Sequence, residues 1–195
     1  MTGAPTTAVP GSHRRAGNAM GRARAAILLG ARQALAESGP RGLTMSGVAD
    51  RGGVAKATVY NHFRDRRELV EGLARDLVEQ VLAAGDAAPD LTSALAAMAG
   101  TAANLPEVRG AVSHDPAVVA LLTVPAEAPA SRAAHAGLAK LLGRHGVDQP
   151  GVAAGWVMRW LAAAAVAAPD TATLVAEARL TAAGALGAGP PLSEV

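Results

Sequence analysis

The chain has 195 residues, no cysteine, 2% aromatic residues and a formal net charge of +2. Alanine, the strongest helix former, supplies 49 residues, so we expect an all-α fold whose helices pack through small side chains. Without cysteine the chain has neither disulfides nor thiolate chemistry. No uncharged stretch is long and apolar enough to span a membrane, and the N-terminus lacks the apolar segment of a secretory signal. We therefore expect a soluble cytoplasmic protein.

The charges are unevenly divided along the chain. Residues 1–67 carry eleven basic and three acidic residues, a net charge of +8, whereas the remainder carries seven basic and thirteen acidic residues, a net charge of −6. A basic N-terminal part favours a polyanionic partner. Basic stretches also occur on ordinary solvated surfaces, so charge alone leaves both interpretations open.

The N-terminal elements are a predicted tail and a predicted helix. Residues 1–21 are rich in Pro and Gly and predict a flexible basic tail. Apolar residues then recur at three- and four-residue spacing from about Arg22, and Gly39-Pro40 ends this first helix. Arginines of this region could form an arm that enters the DNA minor groove, or could simply be solvated. They are Arg14, Arg15, Arg22 and Arg24.

Two short helices follow. Thr44 is a candidate N-cap for a helix that ends near Arg51, Gly52-Gly53 separates the two helices, and the second runs from about Ala55 to Asn61. Two short helices joined by a glycine-containing turn predict a helix-turn-helix, whose second helix fits the DNA major groove. Four small apolar residues are predicted to face inward: Val48, Ala49, Val54 and Val59. The outward set contains no acid and comprises Lys56, Ala57, Thr58, Tyr60, Asn61 and His62.

The rest of the chain predicts only helices. Asp65 and Glu68 have the spacing of a capping box that opens a long helix. We call residues 22–67 the head and residues 68–187 the body, and we expect residues 188–195 to be flexible. Further helices are predicted over residues 91–103, 106–112, 116–122, 130–144, 150–168 and 171–186.

The segment GVAKATVYNHFRDRREL, residues 53–69, resembles the signature of TetR-type repressors. The resemblance covers roughly residues 24–75 and implies a homodimeric, ligand-responsive transcriptional repressor that binds a palindromic double-stranded DNA operator. It further implies a three-helix DNA-binding head and a helical body that binds a small-molecule effector and dimerises. The residues that it assigns to DNA contact are Thr44, Lys56, Ala57, Thr58, Tyr60, Asn61, His62 and Arg66. Phe63 would anchor the core. The sequence departs from the usual pattern at Gly47, Gly52 and Arg67.

The body offers candidate effector contacts. Trp156 and Trp160 lie one turn apart, and either could line an apolar pocket or pack in the core or a dimer interface. Met98 is placed on the opposite wall of such a pocket, and Arg159 could pair with an anionic ligand group or an acidic neighbour. The resemblance implies that the last two helices, residues 150–168 and 171–186, form a four-helix dimer interface.

No enzyme motif is apparent. Ser113, His114 and Asp115 are contiguous, whereas a catalytic triad is assembled through space. His114 with Asp115 is interpreted as a helix-end pair rather than a metal site. We predict no catalytic residues, no metal and no cofactor. The alternatives to a ligand-responsive regulator are a constitutive nucleoid-type DNA binder and a helical carrier or interaction protein without specific DNA binding.

Overall fold

The computed structural model describes residues 12–115 and 128–187, with side chains from residue 19 onward. Within these ranges the protein is all-helical, as predicted, with nine α-helices and no strand. A 3-10 turn, Gly39–Gly42, follows the first helix. The helices are α1 (Ser12–Ser38), α2 (Met45–Gly52), α3 (Lys56–His62), α4 (Arg66–Asp86), α5 (Leu91–Asn104), α6 (Pro106–His114), α7 (Pro129–Arg144), α8 (Pro150–Ala167) and α9 (Thr171–Ala185).

One helix boundary differs clearly from the prediction. Helix α1 begins at Ser12, ten residues before the predicted start at Arg22, so half of the segment predicted as a flexible tail is helical. Gly17 and Gly21 suggested a tail, yet one glycine weakens a helix by only about 1 kcal/mol and does not end it. Predictions that fall on residues 1–11, 116–127 and 188–195 lie outside the described residues. The other predicted body helices agree with the structure within two residues at each end.

The head core is built from α1, α2, α3 and the first turns of α4. Close helix contact depends on glycine: a Cβ on Gly52 would lie 2.7 Å from the Ala26 carbonyl oxygen, and one on Gly30 would lie 2.5 Å from that of Val48. Gly52 is therefore a packing requirement of the α1–α2 crossing, although the resemblance marked it as a departure. The core side chains include Ile27, Leu28, Val48, Val59, Phe63 and Leu69.

In the body, α4 packs against α5 and α7, α5 also packs against α8 and α9, and α8 packs against α7 and α9. Its larger buried side chains are supplied mainly by leucine, and most remaining interior positions are alanine. Alanine lets neighbouring helices approach closely but gives little apolar area for each residue buried. The core includes Ala94, Leu95, Met98, Leu138, Leu141, Leu142, Ala154, Val157, Ala178 and Ala182.

Helix α6 joins the body to the head. A Cβ on Gly110 of α6 would lie 2.3 Å from the Ala36 carbonyl oxygen, so α6 rests directly on the α1 backbone. The Arg32 guanidinium of α1 contacts Asp76 of α4 at 2.7 Å and the buried Glu107 of α6 at 2.9 Å. Burial lowers the pKa of Arg32, but its bonds to the two carboxylates outweigh burial and raise the pKa above its ordinary value. The contact therefore holds three helices together.

Candidate nucleic-acid interface

Both ends of helix α3 are defined by residues next to it in sequence. Gly53 adopts a left-handed conformation, with φ of 61°, and closes α2, while the buried Phe63 ends α3. Val59 is fully buried and fixes the inward face of α3. Val48 and Ala49 of α2 are also buried and Val54 is partly buried, which confirms the predicted inward set.

The opposite face of α3 carries most of the predicted outward residues. Lys56, Ala57, Tyr60 and Asn61 are exposed. Thr58 and His62 are only half-buried, because they lie at the edges where α3 meets the rest of the head. The Tyr60 hydroxyl makes no hydrogen bond within the described residues, and 47% of Tyr60 is exposed. The exposed face of α3 thus presents a cation, an amide, a hydroxyl and a methyl group without an acidic side chain.

Thr44 stands at the start of α2. It is the N-cap of α2, where its Oγ1 accepts a hydrogen bond from the Gly47 amide at 3.0 Å. The Thr44 side chain is exposed. A Cβ on Gly47 would lie 3.0 Å from that Oγ1, so the unusual glycine at this position leaves room for the cap. The predicted capping role of Thr44 is confirmed.

Arg66 has a role within the head that sequence reasoning missed. Its Nε donates to the Leu43 carbonyl at 2.8 Å, and its Nη2 donates to the Pro40 carbonyl at 2.6 Å. These bonds tie the start of α4 to the turn that precedes α2. No local pattern signals them, since the partners lie 23 and 26 residues away. Arg66 therefore fixes the position of Thr44, the predicted phosphate contact that follows Leu43.

The two acidic residues that follow α3, Asp65 and Glu68, are hydrogen-bonded at the start of α4. Asp65 accepts from the Glu68 amide at 2.8 Å, which confirms Asp65 as the predicted cap. Glu68 accepts from the Arg64 amide at 2.8 Å, one residue before the amide that a complete capping box would use. This backbone hydrogen bond, helped by the Arg64 side chain, lowers the pKa of Glu68 below its ordinary value. Arg67 is left exposed on the same turn. The start of α4 therefore keeps an exposed cation next to α3.

The four candidate effector residues lie in different surroundings. Met98 is 1% exposed and packs against Gly85 of α4, whereas Arg159 is exposed on α8. The Trp160 Nε1 donates to Glu177 at 3.2 Å, which joins α8 to α9. Of the four, only Trp156 lines a surface cleft of about 250 Å³ between the start of α8 and the end of α9. This volume is below the roughly 300–1,000 Å³ typical of ligand pockets.

The Ser113-His114-Asp115 segment ends α6. The His114 Nδ1 lies 2.8 Å from the Gly110 carbonyl oxygen, which can only accept, so Nδ1 carries the proton. Ser113 Oγ donates to the same carbonyl at 3.0 Å. Both side chains thus bond to the last turn of their own helix. Across the part of the chain that the structure describes, His, Asp and Glu form no group of three that could hold a metal ion.

Residues 27–73 match the family model described as bacterial regulatory proteins, tetR family. The helix-turn-helix region of the chain therefore matches the DNA-binding domain of the TetR family. The match spans the helix-turn-helix with parts of the two flanking helices, which supports a DNA-binding transcription regulator. The family and the structural neighbours are transcription regulators, not enzymes.

Solved structures extend the similarity over the body. The chain resembles the TetR-family repressor AlkX from Dietzia sp., with a TM-score of 0.62 and 21% identity over 84% of this chain and 95% of that one. A TetR-family regulator from Pectobacterium atrosepticum has a TM-score of 0.56 and 25% identity over 87% of this chain and 96% of that one. A putative TetR-family regulator from Rhodococcus sp. has a TM-score of 0.61 and 19% identity over 85% and 99% of the chains. No curated protein matches the chain.

Proposed function

We propose that this TetR-family member is a repressor that binds a palindromic operator as a homodimer and responds to a small-molecule effector. The exposed, acid-free face of α3 supports this proposal above all. One α3 from each protomer enters the major groove of a half-site, and a two-fold dimer matches the symmetry of a palindrome. DNA-binding transcription regulation is the family's shared activity, and repression by this chain is our inference.

The side chains divide into two roles. Lys56 and Asn61 are exposed on α3 and have the donor groups that read base edges, and Ala57 and Thr58 offer methyl groups beside them. Thr44, Tyr60 and His62 are proposed to bind phosphates. Contacts of this kind position the head on DNA without reading its sequence. Arg66 is proposed to act mainly through its bonds to the Pro40 and Leu43 carbonyls, and its remaining N–H groups are available to a phosphate.

A fluorescence titration tests DNA recognition, using promoter-proximal DNA and random DNA in parallel. A dimer with about six to ten phosphate contacts is expected to show a log-log salt slope of about −5 to −9. The Lys56→Ala and Asn61→Ala variants should lose more affinity for the operator than for random DNA. Lys140→Ala, which removes an exposed lysine from the body, is the matched control. Equal losses on both DNAs would remove Lys56 and Asn61 from base reading.

The proposed dimer interface is the exposed face of α8 and α9. Helix α8 is long and apolar enough to cross a membrane by length and composition, although core helices of soluble proteins pass the same test. Only 28% of its residues are buried in the structure. On α9, Leu180 is 75% exposed. An exposed apolar surface of this kind is typical of an interface, and a second copy would cover it through the same two helices.

Analytical ultracentrifugation at micromolar concentration tests this interface. The unaltered chain is expected to sediment as a dimer, and Leu180→Glu is expected to dissociate it because two charges would meet near the two-fold axis. Leu29→Glu places the same charge on an exposed leucine of the head and should leave the dimer intact. A monomeric unaltered chain would contradict the homodimer.

For effector binding we propose contact residues in the body. Trp156 is the best-placed contact because it lines the cleft between α8 and α9. Met98 and Trp160 would take part only after the body helices rearrange, since Met98 is buried and Trp160 is bound to Glu177. Arg159 is exposed on α8 but does not line this cleft. A ligand there would favour one separation of the two heads through its differential affinity for the two states. Quenching of tryptophan fluorescence that is lost in Trp156→Phe but kept in Trp160→Phe would support this order of importance.

A further inference from the structure

The exposed face of α8 carries a single charge in an otherwise uncharged stripe. Arg159 is the only charged residue of α8, and it is exposed. The residues four or seven positions from Arg159 lie on the same face of the helix and are all small or apolar. They are Val152, Gly155, Ala163 and Val166. The proposed dimer interface therefore contains a positive charge within its apolar surface.

The only acidic residue of α8 and α9 lies at the same level of the helix pair. Arg159 is the tenth of the 18 residues of α8, and Glu177 is the seventh of the 15 residues of α9. The Trp160 Nε1, next to Arg159, donates to Glu177 Oε2 at 3.2 Å, which holds the half-buried Glu177 level with this part of α8. Both charges thus stand near the middle of their helices.

Within one protomer these two charges do not pair. Neither Arg159 nor Glu177 forms an ion pair with any residue that the structure describes. The Arg159 guanidinium instead lies along its own helix, where Nη1 is 3.9 Å from the position of a Cβ on Gly155. Glu177 Oε2 is bound to Trp160, whereas Oε1 makes no hydrogen bond within the described residues. Each charged group therefore keeps hydrogen-bonding capacity for a partner outside the protomer.

A second copy that covers this face would remove Arg159 from water. Burying a cation without an acid beside it is strongly unfavourable. Helices α8 and α9 supply one acid for this purpose, Glu177. In a two-fold interface a residue i that contacts j of the other copy is matched by j contacting i, so one Arg–Glu contact occurs twice. The charges of the face are thus complementary to those of an identical face.

We propose that Arg159 pairs with Glu177 of the partner subunit, and that this pair selects a second copy of this chain as the partner. This inference rests on the homodimer of the proposed function. Trp160 is a positioning residue that holds the Glu177 carboxylate and leaves Oε1 to the incoming guanidinium. A helical subunit with a similar apolar face but no acid opposite Arg159 is rejected, because its docking would bury an unpaired charge. The pair thus contributes specificity more than affinity.

Charge reversal in the full chain tests this pair. Arg159→Glu and Glu177→Arg each bring like charges together at two symmetric positions, so sedimentation equilibrium should show a dimer Kd raised by about 100-fold. Mixing the two variants should restore a dimer that contains one chain of each kind, since both contacts then join opposite charges. Native mass spectrometry distinguishes this heterodimer by its mass. A chain that carries both substitutions should dimerise with itself.

A matched pair of reversals elsewhere on the body is the control. Lys140→Glu on α7 and Glu79→Arg on α4 change exposed charges outside α8 and α9, and each should leave the dimer Kd unchanged.

Two results would overturn the inference and leave the homodimer intact. In the first, Arg159→Glu and Glu177→Arg dimerise as tightly as the unaltered chain. In the second, both are monomeric and their mixture stays monomeric, because the charges then pair within one protomer or serve only its fold. A monomeric unaltered chain would instead remove the homodimer and this inference together.

Discussion

The head and the body are stabilised by different kinds of core. The main head cluster contains three alanines among twelve buried residues, and its centre is formed by large side chains such as Phe63 and Leu69. The main body cluster contains six alanines among fourteen, and two of the three residues in a smaller cluster are alanine. The head therefore depends on a few large side chains, whereas the body depends on many close helix approaches. The stability of the head should therefore be sensitive to truncation of a buried side chain, and that of the body to enlargement of one.

The largest expected effect is truncation at Phe63. Phe63 is 3% exposed, carries the Arg24 guanidinium on its ring and closes α3. Phe63→Ala should lower the free energy of unfolding by about 3–5 kcal/mol, because it removes buried area and leaves a cavity. Urea unfolding followed by circular dichroism measures this. Phe63→Leu is the control and should lose much less, so equal losses would show that ring volume is not what the head requires.

The body should react more strongly to added volume. Ala178 of α9 is fully buried, in the cluster shared with α8. Ala178→Leu should cost about 1–3 kcal/mol through overpacking. Ala83→Leu, at an exposed position of α4 outside the proposed dimer interface, is the control for urea unfolding and should be nearly neutral. A stable Ala178→Leu variant would mean that the alanine core contains unused space, and the contrast with the head would fail.

The contrast also explains what could be predicted from sequence. The head was predictable because its signals are local: Thr44 caps α2, Asp65 caps α4, and the valines of α2 and α3 repeat at helical spacing. The all-α class and the body helix boundaries were predictable from apolar spacing and proline positions. In the body, alanine occurs on every helix face, so periodicity does not indicate which face is buried or which helices meet.

Features that depend on distant residues were not predictable. Arg66 bonds to carbonyls more than twenty residues away, and Arg32 joins partners that are 44 and 75 residues distant. The same limit applies to the effector residues, whose one-turn spacing on α8 gave no information about the position of Met98. The start of α1 at Ser12 was missed for a different reason, since glycine and arginine are compatible with either a tail or a helix.

Removing the ion pair that joins head and body should have an intermediate effect on the free energy of unfolding. Arg32→Gln leaves Glu107 buried at 5% exposure without its cation, and one Glu107 oxygen, Oε2, already lacks a partner among the described residues. We expect a loss of about 2 kcal/mol, since hydrogen bonds to charged groups contribute about 1.5–3 kcal/mol.

A double variant tests whether Glu107 is the cause. In Arg32→Gln with Glu107→Gln the two amides can bond to each other, so part of the lost stability should return in urea unfolding. Glu37→Gln, which removes a surface partner of Arg51, is the control for a weakly contributing ion pair. Additive losses in the double variant would show that Arg32 and Glu107 do not depend on each other.

The smallest expected effect is on how the stability of the body falls in acid. It arises from two exposed helix caps, Asp90 and Asp170. The Ser93 amide bonds to Asp90 and the Thr173 amide bonds to Asp170, and these backbone hydrogen bonds lower the pKa of both carboxylates. A carboxylate whose pKa is lower in the folded state stabilises the fold above its unfolded pKa of about 3.9, and this contribution is lost as pH falls through the folded value. Asparagine also caps helices but does not titrate, so Asp90→Asn with Asp170→Asn should flatten the fall in the urea midpoint between about pH 5 and pH 3.

Glu79→Gln with Asp148→Asn neutralises two exposed carboxylates outside these caps and should leave that fall nearly unchanged. If both pairs flattened it equally, general charge repulsion rather than helix capping would govern the acid response.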